Sequence, residues 1–252
     1  MRLLMIGCEY AGKTTLAVEL SRWMIKAMGL PFVRWHNHFV VPQVDQHLVV
    51  HEGSDDEQVV PGKVAADLFV EEEQEQIMAL TPSLLEQFQR HMIWRHLHPN
   101  SYAEDDYMVI NWYYADAVYA PLYYGYGDTG TFADRRQRAR AWDAEVMKLG
   151  PDTVIVLVEA SADLIRERMR AQPRARGILQ EKDVELVLDR FREEYDNSLI
   201  YRRFTLDTTD ATPEESLQAF LRQIWPHLSQ GDRLRMLSRL ETVNDGLSGP
   251  SI

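Results

Sequence analysis

The 252-residue chain has a single cysteine, Cys8. It can form no intrachain disulfide and no cysteine-based zinc site. A reducing, cytoplasmic setting is therefore the expectation. It has no apolar run long enough to span a bilayer, and its apolar start, Met1 to Ile6, stops at Gly7, too short for a signal-peptide core. Positive charge is scarce: 27 Lys and Arg stand against 39 Asp and Glu, a formal net charge of −12. So acidic a surface argues against a protein that coats DNA or a membrane, because phosphate backbones and anionic lipids require a basic face. Internal repeats and low-complexity tracts are also lacking.

What remains is ordinary globular composition, 45% hydrophobic and 26% charged. The length suits one α/β domain, here expected over residues 1–228, followed by a C-terminal tail over 229–252. Five short apolar runs read as strands: Leu3 to Ile6, Phe32 to Trp35, Tyr107 to Ile110, Thr153 to Val158 and Phe204 to Leu206. Val154 to Val158 is an unbroken apolar run, the pattern of a strand buried on both faces. Helical spacing separates the runs: Leu16, Leu20, Trp23 and Ala27; Leu84, Leu85, Phe88 and Met92; Leu164, Ile165 and Met169; Leu217, Phe220, Leu221 and Ile224. Strand alternating with helix predicts a parallel sheet flanked by helices. Residues 42–62, with Glu52, Asp55, Asp56 and Glu57, read as an exposed loop, and the tail as a short helix with a frayed end.

One motif carries chemistry. Gly7-Cys8-Glu9-Tyr10-Ala11-Gly12-Lys13-Thr14 fits G-x-x-x-x-G-K-S/T between an apolar strand and an amphipathic helix. In such a P-loop the glycines let the backbone approach a phosphate chain. The loop amides and the helix N-terminus face the anion. Gly7, Glu9, Ala11, Gly12, Lys13, Thr14 and Thr15 are the candidate nucleotide-binding residues, with the Lys13 ammonium on the β/γ-phosphates of ATP and the Thr14 hydroxyl on Mg²⁺. No Asn-Lys-x-Asp guanine motif is present, which weighs against a Ras-like GTPase. Arginines crowd residues 166–176, and a lid is expected over about 166–182. Arg170, Arg174 and Arg176 are the candidates to clamp the transferring phosphoryl group.

Further segments, in chain order, resemble thymidylate kinase and related P-loop nucleoside monophosphate kinases over residues 1–226. They are Glu9 in the loop, Phe88-Gln89-Arg90 on a mid-chain helix, Ile110-Asn111-Trp112-Tyr113 after a strand, Tyr119-Ala120, Pro151-Asp152, the arginine-bearing lid and Phe204-Thr205-Leu206-Asp207. The resemblance implies a five-stranded parallel sheet in the order 2-3-1-4-5. It also implies transfer of the ATP γ-phosphoryl group, with Mg²⁺, to a small acceptor. It places Glu9, Phe88, Arg90, Asn111 and Tyr119 at the acceptor. Two departures bear on the chemistry. Asn111-Trp112 replaces an Asp-Arg pair, so the charge that steadies Mg²⁺ water is gone. Tyr119-Ala120 replaces Tyr-Gln, so a base-reading amide is gone. A nucleotide-binding module with impaired catalysis and a kinase for a nucleoside or a non-nucleotide metabolite stay open beside the nucleoside monophosphate kinase. The expected partners are a nucleotide and a small-molecule phosphate acceptor, without nucleic acid or membrane; a homodimer is left open.

His36, His38, His47 and His51 invite a metal reading, but the lack of cysteine and of a carboxylate partner weighs against it. Glu159, at a strand end, is a second candidate to support Mg²⁺.

Overall fold

The computed structural model describes residues 1–38, 45–51, 70–103, 106–174 and 177–247. A central sheet is built from β1 (Arg2–Ile6), β2 (Phe32–His38), β3 (Asp45–His51), β4 (Tyr107–Ile110), β5 (Val154–Glu159) and β6 (Arg203–Asp207). Its order is β3-β2-β4-β1-β5-β6. Five strands run parallel, in the order expected from the resemblance. β1 is innermost, pairing with β4 through Leu3–Met108 and with β5 through Leu3–Val154. This follows from composition: Leu3 to Ile6 and Val154 to Val158 are buried on both faces, as crossover-covered strands must be.

The helices are α1 (Lys13–Met28), α2 (Glu71–Met78), α3 (Pro82–Trp94), α4 (Trp112–Tyr119), α5 (Arg135–Leu149), α6 (Ala162–Ala171), α7 (Val184–Asp196), α8 (Pro213–Ile224) and α9 (Gln230–Leu247). In α1 the buried set Leu16, Ala17, Leu20, Met24, Ile25 and Met28 follows the 3.6-residue period. Gly29, left-handed at φ 69°, ends it by returning its amide to the Ile25 carbonyl. Two groups of helices flank the sheet: α1 with α8 and α9, and α4 with α5 and α7. Among the described residues no helix is long and apolar enough to cross a membrane.

Two expectations need correction. Within the loop expected over 42–62, Asp45–His51 is a strand, antiparallel to β2 with His36 opposite His47. The apolar centre Leu48-Val49-Val50 suits a strand, and β2 would otherwise leave an unpaired edge; residues 42–44 and 52–62 lie outside the described residues. The tail is not a short helix: α9 has 18 residues. Its start carries a reciprocal cap, with Asp232 N donating to Ser229 Oγ and Ser229 N donating to the Asp232 carboxylate, both at 3.0 Å. Arg235 then ties the helix to Asp106, just before β4, at 2.6 Å. Residues 248–252 lie outside the described residues.

The arginines at 135–140, which resemble a basic patch in sequence, are engaged internally. Arg136 and Arg140 pair with Glu194 of α7 at 2.8 and 3.1 Å. Arg135 is fully buried, 2.6 Å from Asp116 of α4 and 2.9 Å from Glu86 of α3. The Tyr126 hydroxyl donates to the other Asp116 oxygen at 2.7 Å. Three helices thus meet at one guanidinium. Removing one partner of such a buried group leaves the others uncompensated. Arg135→Met is therefore expected to lower stability by about 3–5 kcal/mol in urea unfolding, whereas Lys148→Met, at the exposed end of α5, stays within about 0.5 kcal/mol. Equal unfolding midpoints for the two variants would contradict this role.

Candidate active site

β1 delivers the chain to Gly7 at the carboxyl end of the sheet's centre, where ligands of parallel sheets gather. A Cβ on Gly7 would lie 2.2 Å from the Val158 carbonyl oxygen, so the neighbouring strand tolerates glycine alone. Tyr10 (φ 63°) and Gly12 (φ 91°) take the loop through left-handed backbone and turn it into α1. Gly12 is the N-cap of α1, with no side-chain cap and no acidic residue in the first turn. The amides of Gly12, Lys13, Thr14 and Thr15 are therefore the orphan donors of the helix start, at its positive end.

Lys13 lies among them. Its ammonium donates to the carbonyls of Gly7 at 2.8 Å and Cys8 at 2.5 Å. Burial pushes its pKa down to about 8. Thr14 and Thr15 are exposed. Cys8 is fully buried, and burial pushes its thiol up to about 12, so it packs as a neutral side chain beneath the loop.

The structure brings the loop residues Gly7, Glu9, Ala11, Gly12, Lys13, Thr14 and Thr15 together and sorts the arginines. Arg174 stacks on the Tyr10 ring, 4.6 Å from its centroid, and lies 3.5 Å from Glu9. Arg170 is not at the loop: it is two-thirds exposed and pairs with Glu181. The reason is helical phase. Arg168, two positions earlier on α6, faces the loop and donates to the Tyr10 carbonyl at 2.7 Å. Arg176 lies outside the described residues. Glu159 is turned away to Arg192 at 2.5 Å.

Asn111 directly follows β4, its backbone amide donating to Met5 O at 2.7 Å. It is buried, its Oδ1 has no hydrogen-bond partner, and both it (φ 67°) and Trp112 (φ 50°) hold left-handed backbone. Asparagine tolerates positive φ better than most residues, but a bulky tryptophan there is strained, a condition kept where surroundings impose it. Trp112 is held by its indole N–H on the Ile93 carbonyl at 3.2 Å.

Tyr119 is fully buried and accepts the Glu9 amide at 3.2 Å, which places it behind the loop rather than in an open base pocket. Arg90 lies 3.3 Å from Glu86, at the edge of the Arg135 cluster. Phe88 packs against the core. Thr208, which sequence reasoning missed, sits directly after β6 and donates to Ala11 O at 2.9 Å. Nothing in its local sequence marks it.

Oxygen donors suit Mg²⁺. The Thr14 hydroxyl and the partnerless Asn111 Oδ1 are such donors, and they fit an ion held mainly by phosphate and water. Among the described residues no group of three or more His, Cys, Asp or Glu could hold a metal by itself.

Glu9 is held from two sides. The carboxylate accepts the Leu179 amide at 3.2 Å and faces Arg174. Glu9→Ala is expected to speed tryptic cleavage in the 172–180 segment by on the order of threefold, the loss of a half-exposed ion pair. Unchanged cleavage would mean that Arg174 and Leu179 are not held through Glu9.

No family model and no curated protein matches the chain by sequence. Solved structures do resemble it. The YorR protein of Bacillus subtilis, solved in complex with phosphorylated GDP, is 16% identical with a TM-score of 0.50, over 90% of this chain and 99% of that one. Deoxyadenosine kinase from M. mycoides with bound dATP is 12% identical with a TM-score of 0.51, over 89% and 99%. At such identities the likeness is one of fold, and the chain has the α/β fold of the P-loop nucleoside kinases.

Proposed function

We propose that this chain is a phosphotransferase that moves the γ-phosphoryl group of ATP, with Mg²⁺, to a nucleoside monophosphate or a nucleoside. The observation that carries this reading is the uncapped start of α1, with the Lys13 ammonium among its free amides and Arg174 over the same loop. Such a site offers a triphosphate what it requires: aimed donors, a mobile cation and a second cation on a movable segment.

In this reading the residues divide the labour. The amides of Gly12 to Thr15 receive phosphate oxygens. Lys13 leaves the Gly7 and Cys8 carbonyls for the β/γ-phosphates. Arg174 lies 3.5 Å from a carboxylate, an anion that phosphate can replace. Exchange of Glu9 for phosphate would draw the lid over the site and exclude water. Mg²⁺, when bound, neutralises charge on the phosphates, and Thr14 and Asn111 are the residues that would hold it and its water. Glu9, released from Arg174, can accept a hydrogen bond from an acceptor hydroxyl. Phe88 and Arg90 on α3 are the residues proposed to meet the rest of the acceptor.

Thymidylate is one candidate within this class. The missing amide at Ala120 argues against assigning thymine over other bases. The second reading, a nucleotide-binding module without transfer, is favoured by Asn111 and Trp112: the first brings no charge, and the indole of the second is engaged with Ile93. A turnover assay with labelled ATP and pooled nucleosides and monophosphates separates them. The expected result is a labelled acceptor product, with Asn111→Asp preserving or raising Mg²⁺-dependent turnover. Tight ATP binding with no product from either protein would contradict the transferase reading.

A further inference from the structure

The loop turns its carbonyls in two directions. Those of Gly7 and Cys8 face inward and hold Lys13. Those of Tyr10 and Ala11 face outward, and each meets one side chain from a distant part of the chain: Arg168 Nη1 on α6 at 2.7 Å and Thr208 Oγ1 after β6 at 2.9 Å. Thr208 is 5% exposed. Its amide is anchored on the Glu159 carbonyl at the end of β5, at 2.9 Å. Its hydroxyl also lies 3.0 Å from that carbonyl, which already receives the amide. Among the described residues no other donor reaches Ala11 O.

Peptide planarity gives these contacts a consequence. In a trans peptide the carbonyl of one residue and the amide of the next lie in one rigid plane and point in opposite directions. Holding Ala11 O outward therefore aims the Gly12 amide inward. Holding Tyr10 O outward aims the Ala11 amide at the Cys8 carbonyl, where it is found at 3.3 Å. The two peptides lie between left-handed Tyr10 and left-handed Gly12 and could rotate to relieve that backbone. A rotated peptide would present a carbonyl, not an amide, to an anion.

We propose that Thr208 is a positioning residue: its hydroxyl fixes the Gly12 amide toward the phosphate site before an anion arrives, with Arg168 doing the same for the preceding peptide. This rests on the triphosphate reading of the loop given above. It makes two distant elements, the end of β6 and the helix that leads into the lid, part of the anion-binding geometry.

The test compares wild type, Thr208→Val, which keeps the shape and removes the donor, and Thr208→Ser, which keeps the donor. Two quantities are read: the ATP dissociation constant, and hydrogen exchange of the 7–16 segment in the protein alone. T208V is expected to weaken ATP about tenfold, which is about 1.4 kcal/mol and within the usual worth of one hydrogen bond. It should also speed exchange in that segment, while T208S stays within about twofold of wild type in both readouts. ATP affinity and exchange unchanged in T208V would overturn the proposal, as would equal defects in T208V and T208S, which would indicate packing alone. Failure of wild type to bind ATP would instead refute the triphosphate reading, and the exchange comparison would still decide whether Thr208 holds the loop. If T208V does not fold, Arg168→Met tests the neighbouring peptide: a several-fold loss of ATP affinity supports the clamp and wild-type affinity overturns it.

Discussion

Everything at this site depends on a helix that begins without a cap. A helix start leaves amides unpaired, and most chains supply a serine, threonine or aspartate to receive them. α1 supplies Gly12, which has no side chain, and Lys13, which adds positive charge where the helix is already positive. In isolation that arrangement is unfavourable. It becomes favourable when an anion sits against it. The fold places it at the end of the innermost strand, between the ends of β4 and β5, where those neighbours contribute Asn111 and Val158 to the surroundings of the loop.

The remaining contacts read as support for that one feature. Gly7 lets β5 approach, Tyr119 backs the Glu9 amide from below, and Arg168 and Thr208 hold two carbonyls from outside. The loop is thus braced by four other parts of the chain. Glu9 of the loop faces Arg174 at 3.5 Å, which ties the segment after α6 to the loop through one charge. On the proposed function, phosphate and Glu9 compete for one guanidinium, and the site closes as the competition is resolved.

The P-loop could be read from the sequence because its chemistry is local: two glycines, a lysine and a threonine at fixed spacing between a strand and a helix. The central strands β1, β4 and β5 were legible for a similar reason, since burial on both faces writes an unbroken apolar run such as Val154 to Val158. β3 was not, because an edge strand needs no such run and its short apolar centre sits beside acidic residues. α9 was underestimated although Ser229 and Asp232 have the spacing of a reciprocal cap. That Arg168 and not Arg170 meets the loop depends on the phase of α6 against it, a tertiary fact. Thr208 lies 197 positions from the carbonyl it holds, and no local pattern could connect them. Arg135 stands among other arginines in sequence, and only the packing of three helices shows it to be interior.

A structure determined with Mg²⁺ and a non-hydrolysable ATP analogue tests the central claim most directly. The account predicts phosphate oxygens within hydrogen-bonding distance of the Gly12 to Thr15 amides, with the Lys13 ammonium moved from the Gly7 and Cys8 carbonyls onto the phosphates. An analogue bound elsewhere, with Lys13 still on those carbonyls and the α1 amides unengaged, would contradict it.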